Sequence, residues 1–116
     1  MRRDDKVLLI RRNTPPFKNY WALIGGAKEN SETFEDCAKR ELKEEAGLEA
    51  ENLRYLTEIT VNNKLGLQLS KVFMCVLQNG EVHIDPSEVS EARWFAQSEL
   101  PQKIVPFHIE LIKQWL

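Results

Sequence analysis

The chain has 116 residues, of which 42% are hydrophobic, and a formal net charge of −2. That length suits one domain, residues 1–116, burying about two-thirds of its unfolded surface, and the charge excludes a general polyanion binder, leaving no nucleic-acid polymer as an expected partner. No apolar run approaches the ~20 residues of a membrane span and no secretory signal pattern is present, so the expected location is cytoplasmic with no membrane partner.

Taken from the start, Arg2, Arg3, Lys6, Arg11, Arg12 and Lys18 concentrate positive charge in the first part of the chain, which suits a small anionic substrate. Lys6 to Arg11 and Tyr20 to Leu23 read as strands. Phe17, Tyr20, Trp21 and, later, Phe107 are core candidates whose aromatic faces also suit stacking on a base. Thr33 with Asp36 three residues on resembles a capping box, and Gly47 suits the left-handed position after a last helical turn, so a helix of about four turns is expected between them. Phe34, Cys37, Ala38 and Leu42 form its apolar stripe.

Glu41, Glu44 and Glu45 are three and four apart on that helix, so their carboxylates are expected to converge. Like charges about 4 Å apart repel by roughly 4 kcal/mol at a surface-like dielectric. Such a group calls for a cation, and hard divalent ions such as Mg²⁺ or Mn²⁺ take carboxylate oxygens. The same run also reads as a solvated charged face, with Arg40 paired to Glu44 and Lys39 to Glu35 for a few tenths of a kcal/mol each. That simpler reading leaves Gly25-Gly26 and Glu32, just upstream, unexplained.

Further on, Leu53 to Asn62 and Leu67 to Leu77 read as strands, with turns at Asn62-Asn63-Lys64 and Gln78-Asn79-Gly80. Asp85-Pro86-Ser87-Glu88 is a turn, Ala92 to Phe95 a strand, and Val105 to Leu116 a helix packing through Leu111, Ile112 and Trp115. The two cysteines, Cys37 and Cys75, have no metal-ligand spacing and are expected to be reduced thiols. His83 and His108 stand alone and read as structural or surface residues.

Gly26, five residues, Glu32, seven residues, Arg40-Glu41, an apolar residue, one residue, Glu44-Glu45, one residue, Gly47 and an apolar residue together resemble the Nudix box of the Nudix hydrolases, with every fixed position present. Weaker likeness extends to Lys6–Arg12, to Trp21–Gly26, and to Glu91-Ala92-Arg93-Trp94-Phe95 with Glu99-Leu100. The resemblance implies an α/β fold, the Nudix three-layer α/β/α sandwich with a mixed β-sheet. It implies an enzyme: Mg²⁺-dependent, with Mn²⁺ an alternative, hydrolysing a phosphoanhydride in a nucleoside diphosphate joined to a further group. The ion neutralises charge on the phosphates and makes water more acidic.

By the same resemblance Glu41, Glu44 and Glu45 are metal ligands with a backbone carbonyl from Gly26, while Arg40 orients the glutamates and Glu32 braces the loop behind them. The base is Glu41, Glu44 or a later glutamate, Glu91 or Glu88. Glu91 is preferred for its spacing to Trp94, Glu88 reading also as an ordinary exposed acid. Arg12 resembles a substrate-contacting position. Short length and a plain box resemble the compact branch that cleaves (d)NTPs and oxidised dNTPs to the monophosphate and pyrophosphate. ADP-ribose or another nucleotide sugar is the alternative substrate, and a non-catalytic nucleotide-binding module the alternative function.

Two departures stand out. Ile24 and Ser31 replace a usual proline and glycine around the box. The strand normally preceding Lys6 is missing or shortened, and an edge left unpaired would suit a second copy of the chain, as a homodimer.

Overall fold

The structure, a computed structural model, describes residues 2–3, 6–15, 17–25, 28–50, 53–63, 66–74 and 81–115. Its organising strand is β2, Lys6–Arg12, whose Val7, Leu8, Leu9 and Ile10 are all buried. Four consecutive buried apolar residues mean a strand covered on both faces. On one side β2 pairs antiparallel over its whole length with β6, Val89–Ala96. On its other side lie two short antiparallel partners, β1 at Arg2–Arg3 and β3 at Trp21–Ala22. Where the sequence leaves the strand before Lys6 missing or shortened, the described residues place the two-residue strand β1. Trp21 also makes a parallel bridge to Ile104, its N–H donating to Lys103 O and its carbonyl accepting from Val105, so the sheet is mixed.

Each face of the sheet carries a helix. Alternation along β2 sends Val7 and Leu9 to one face, where they join Trp21, Phe95, Ile104 and Ile112 of α2, Pro106–Trp115. Leu8 goes to the other face with Leu42, Ala46 and Leu48 of the segment built on α1, Phe34–Ala46. This is the α/β/α layering that the resemblance implies. Burying one such Leu or Ile is worth about 1.5–3 kcal/mol, so both helices are held chiefly by this packing. Trp115, expected to pack with Leu111 and Ile112, has a side chain outside the described residues, whereas Leu111 and Ile112 are buried.

The helix α1 has the expected ends. Thr33 accepts a hydrogen bond from Asp36 N, and Gly47, at φ 67°, donates its N–H to Lys43 O. Gly47 is needed twice over, because a Cβ there would come within 2.8 Å of His83 Cβ and O. His83 N donates to Ala46 O at 2.7 Å, tying segment 81–88 to the end of α1. The buried face of α1 differs from the expected apolar stripe. It is Cys37, Glu41, Leu42, Glu45 and Ala46, while Phe34 and Ala38 are only partly covered. Phe34 instead lies beneath the ammonium groups of Lys28 and Lys71, 5.5 and 5.0 Å from its ring centre.

A second, two-stranded sheet is formed by β4, Arg54–Asn63, and β5, Gly66–Met74, paired antiparallel with a bulge between Tyr55 and Thr57. Cys75 and the expected turn Gln78-Asn79-Gly80 lie outside the described residues, as do Lys64 and Gly26. No helix of the described residues is long and apolar enough to cross a membrane.

Candidate active site

The site is built on the buried face of α1, where Glu41 and Glu45, four apart, are 9% and 5% exposed. Glu45 Oε1 accepts from Gly25 N at 3.0 Å, joining the helix to the strand end that enters the box. Burial, then a hydrogen bond with Glu41 and the Glu41 charge, push the Glu45 carboxyl up to about 9, and Glu88 adds to the rise. Two buried carboxylates facing each other are a site short of a cation.

Arg40 supplies part of that charge from the outer edge. Its Nε and Nη2 donate to Glu32 Oε2 and Oε1 at 3.0 and 2.7 Å, a bidentate fork, and its Nη1 donates to Glu41 Oε1 at 2.9 Å and Glu44 Oε2 at 3.2 Å. Lysine has one ammonium and cannot span these three acids. Glu32 is held to about 2, by Arg40 first and then by the N–H of Glu29, which donates to Glu32 Oε1 at 2.8 Å. Lys28 Nζ adds bonds to the carbonyls of Glu29 and Glu32 at 3.1 and 3.0 Å, so the loop before α1 is fastened to the helix through Glu32 and Arg40. Cys37 is a buried thiol raised above its ordinary value by burial, then by Glu32.

Glu44, the third glutamate expected to converge with the Glu41–Glu45 pair, is placed differently from it. Glu44 stands about 100° round the helix from Glu45, its side chain is 49% exposed, and it shares Arg40 Nη1 with Glu41. Among the described residues no three Asp, Glu, His or Cys side chains come together as a group that could hold a metal. The pairs Arg40–Glu44 and Lys39–Glu35, expected of a plain charged face, are both present. They coexist with the buried pair rather than replacing it.

Glu91, preferred as the later base, lies on the other side of the sheet. Glu91 lies opposite Arg11 in the β2–β6 ladder, on the face that carries Phe95, and its carboxylate pairs with Arg93, whose guanidinium lies over Trp21. Strand alternation therefore points it toward the α2 side, away from Glu41 and Glu45. Of the two later glutamates, Glu88 is the one whose charge reaches Glu45. Arg12 ends β2, half-buried, and its charge helps burial hold His108 down to about 4. His108 Nδ1 accepts from Leu23 N at 3.1 Å, a structural role as expected. Phe17 is 40% exposed at φ 60°, Tyr20 is half-buried, and Trp21 is core.

A family model for the NUDIX domain matches residues 1–115 of this chain. The chain belongs to the Nudix family. It is 36% identical over 101 residues to the NAD-capped RNA hydrolase NudC of Escherichia coli, a match covering 87% of this chain and 38% of that protein. This Nudix chain thus spans well under half the length of those curated relatives. Among solved structures it resembles a MutT NUDIX hydrolase from Burkholderia pseudomallei, with TM-score 0.90 and 26% identity, covering 100% of this chain and 92% of that one. It also resembles a UDP-X diphosphatase, with TM-score 0.75 and 28% identity, covering 96% and 56% respectively. Nudix hydrolases are metal-dependent enzymes, and the glutamate pair on α1 has the donor chemistry, two hard oxygen ligands short of positive charge, that fits a divalent ion.

Proposed function

We propose that the protein hydrolyses a phosphoanhydride in a nucleoside diphosphate joined to a further group, using a divalent metal ion, Mg²⁺ or Mn²⁺. The observation that carries this reading is the buried Glu41–Glu45 pair, with Glu45 driven to hold a proton unless a cation takes its place. Glu41, Glu44, Glu45 and the backbone of Gly26 would hold the ion. When bound it supplies neutralisation of charge on the phosphates and lowers the pKa of water.

The remaining work belongs to the chain's own groups. Arg40 fixes the orientation of Glu41 and Glu44, and Glu32 fixes Arg40. Glu88, exposed and within electrostatic reach of Glu45, takes the base role expected of a later glutamate, accepting the proton of the attacking water. Arg12, at the mouth of the sheet, meets the anionic substrate.

The substrate reading follows the relatives named for NAD-capped RNA and for UDP-X, both diphosphates joined to another group. The second reading, a (d)NTP or oxidised dNTP cleaved to monophosphate and pyrophosphate, is supported by the full-length likeness to a MutT-named hydrolase. A cytoplasmic location and a single domain over residues 1–116 belong to the same proposal. To test it, the protein is incubated with Mg²⁺ or Mn²⁺ and a panel of NAD, ADP-ribose, UDP-sugars, NAD-capped RNA, dNTPs and 8-oxo-dGTP, with products separated by chromatography. Monophosphate release abolished by a chelator supports hydrolysis, and the substrate that gives it decides between the readings. Intact substrates across the panel, in a folded sample, would leave a binding module.

A further inference from the structure

Glu88 stands on segment 81–88, which has no helix or strand of its own, yet a general base must be held to within a fraction of an ångström. What fixes it is a set of hydrogen bonds from two directions. At its near end His83 N donates to Ala46 O at 2.7 Å. In the turn itself, Ser87 N and Oγ donate to Asp85 Oδ1 at 3.0 and 2.7 Å, and Glu88 N donates to Asp85 O at 3.1 Å. These bonds shape the turn but are internal to it, so they do not aim it.

Aim comes from Asn13, the residue after β2. Its backbone N–H donates to Glu88 O at 3.0 Å and its Nδ2 donates to Pro86 O at 3.0 Å, both across more than seventy positions of sequence. One residue thereby holds the turn at two carbonyls, on either side of Ser87, and anchors it to the strand at the centre of the sheet. The sheet carries α1 on the neighbouring face through Leu8 and Leu42, so α1 and the turn share one rigid reference.

We propose that Asn13 is a positioning residue, its side-chain amide holding the Pro86–Glu88 turn so that the Glu88 carboxylate is presented to the Glu41–Glu45 pair. The inference rests on the reading of Glu88 as the base. The backbone bond from Asn13 survives any substitution except proline, and Val89 stays paired with Arg12, so replacing the side chain removes only the Pro86 contact and loosens the turn on the Pro86 side of Glu88. Misplacement of a catalytic group on the order of 1 Å costs up to about a hundredfold in rate. With one of two bonds retained, the expected loss is smaller.

The test is a double-mutant cycle on the metal-loaded enzyme, using Asn13→Ala, Asn13→Ser, Glu88→Gln and their combinations, with kcat, KM and the half-saturating Mn²⁺ concentration measured for each. In the wild-type background Asn13→Ala and Asn13→Ser are each expected to lower kcat about tenfold with KM changed less than about twofold. In the Glu88→Gln background the same substitutions are expected to change kcat by less than about twofold, because the group they aim is already gone. Equal losses in both backgrounds would overturn the inference and leave Asn13 as an ordinary stabilising turn residue. Thermal melts of every variant separate loss of fold from loss of aim, and Asn13→Ser serves if Asn13→Ala is too unstable. If Glu45→Gln and Glu88→Gln both leave turnover intact, the site reading itself has failed, an outcome distinct from additivity at Asn13.

Discussion

The two faces of the central sheet are covered by helices of similar length that do different work. On the α2 face Val7, Leu9, Trp21, Phe95, Ile104 and Ile112 close an apolar core, and the half-buried His108 is kept neutral, its Nδ1 accepting from Leu23 N. On the α1 face two of the five buried helix residues are glutamates that face each other, one of them bonded to Gly25 N. A face built only for stability would place apolar residues there, since a buried carboxylate pair without a cation works against folding. The α1 face therefore gives up stability for chemistry, and the α2 face makes up the difference.

The strongest way to break that contrast is to substitute one residue on each face. Glu45→Gln keeps an oxygen acceptor for Gly25 N–H but removes the charge. Loss of a metal ligand worth several kcal/mol in the transition state should lower kcat/KM about a thousandfold, while the melting temperature of the metal-free protein stays level or rises. Leu9→Ala on the other face should do the reverse, costing about 2–5 kcal/mol in denaturant unfolding while the folded fraction keeps its kcat. If Glu45→Gln melts much lower, or Leu9→Ala loses activity beyond its unfolded fraction, the division between the faces is wrong.

Arg40→Lys sharpens the picture within the α1 face. A lysine cannot hold Glu32 while also reaching Glu41 and Glu44, so metal affinity and kcat/KM should each fall about ten- to a hundredfold, readable by metal titration and steady-state kinetics. Next comes pH. The folded Glu45 holds its proton up to about 9 against an ordinary 4.5, so between these values the folded state binds more protons than the unfolded one. Stability from this group is full below about 4.5 and is lost as pH rises toward 9. Melting of the metal-free wild type should fall across that range relative to Glu45→Gln. His108 acts in the opposite sense at lower pH, its depressed value of about 4 removing stability as pH falls from 6.5. The smallest effect should come from Thr33→Ala, which removes the cap of α1 at about 1 kcal/mol of stability with kcat unchanged.

Much of this was legible in the sequence because it is local. The ends of α1, the box spacing, the Glu32–Arg40 brace and the strand at Lys6–Arg12 all follow from patterns a few residues long. What the sequence did not show depends on which face a side chain takes. Spacing alone favours Glu91 over Glu88, and only the β2–β6 register, with its irregularity between Arg11 and Arg12, shows that Glu91 faces α2. Helical spacing groups Glu44 with Glu41 and Glu45, but it does not show that Glu44 stays largely exposed while sharing Arg40 with the buried Glu41. Asn13 carried no signal at all, since its partners are Pro86 and Glu88 at the far end of the chain.

The most direct check on the α1 face is Mn²⁺ binding to the metal-free protein, followed by the electron paramagnetic resonance of the free ion, for wild type, Glu45→Gln and Glu44→Gln. If the buried pair is the heart of the metal site, wild type binds, Glu44→Gln binds more weakly, and Glu45→Gln loses most of the affinity. Binding by Glu45→Gln as tight as wild type would contradict it.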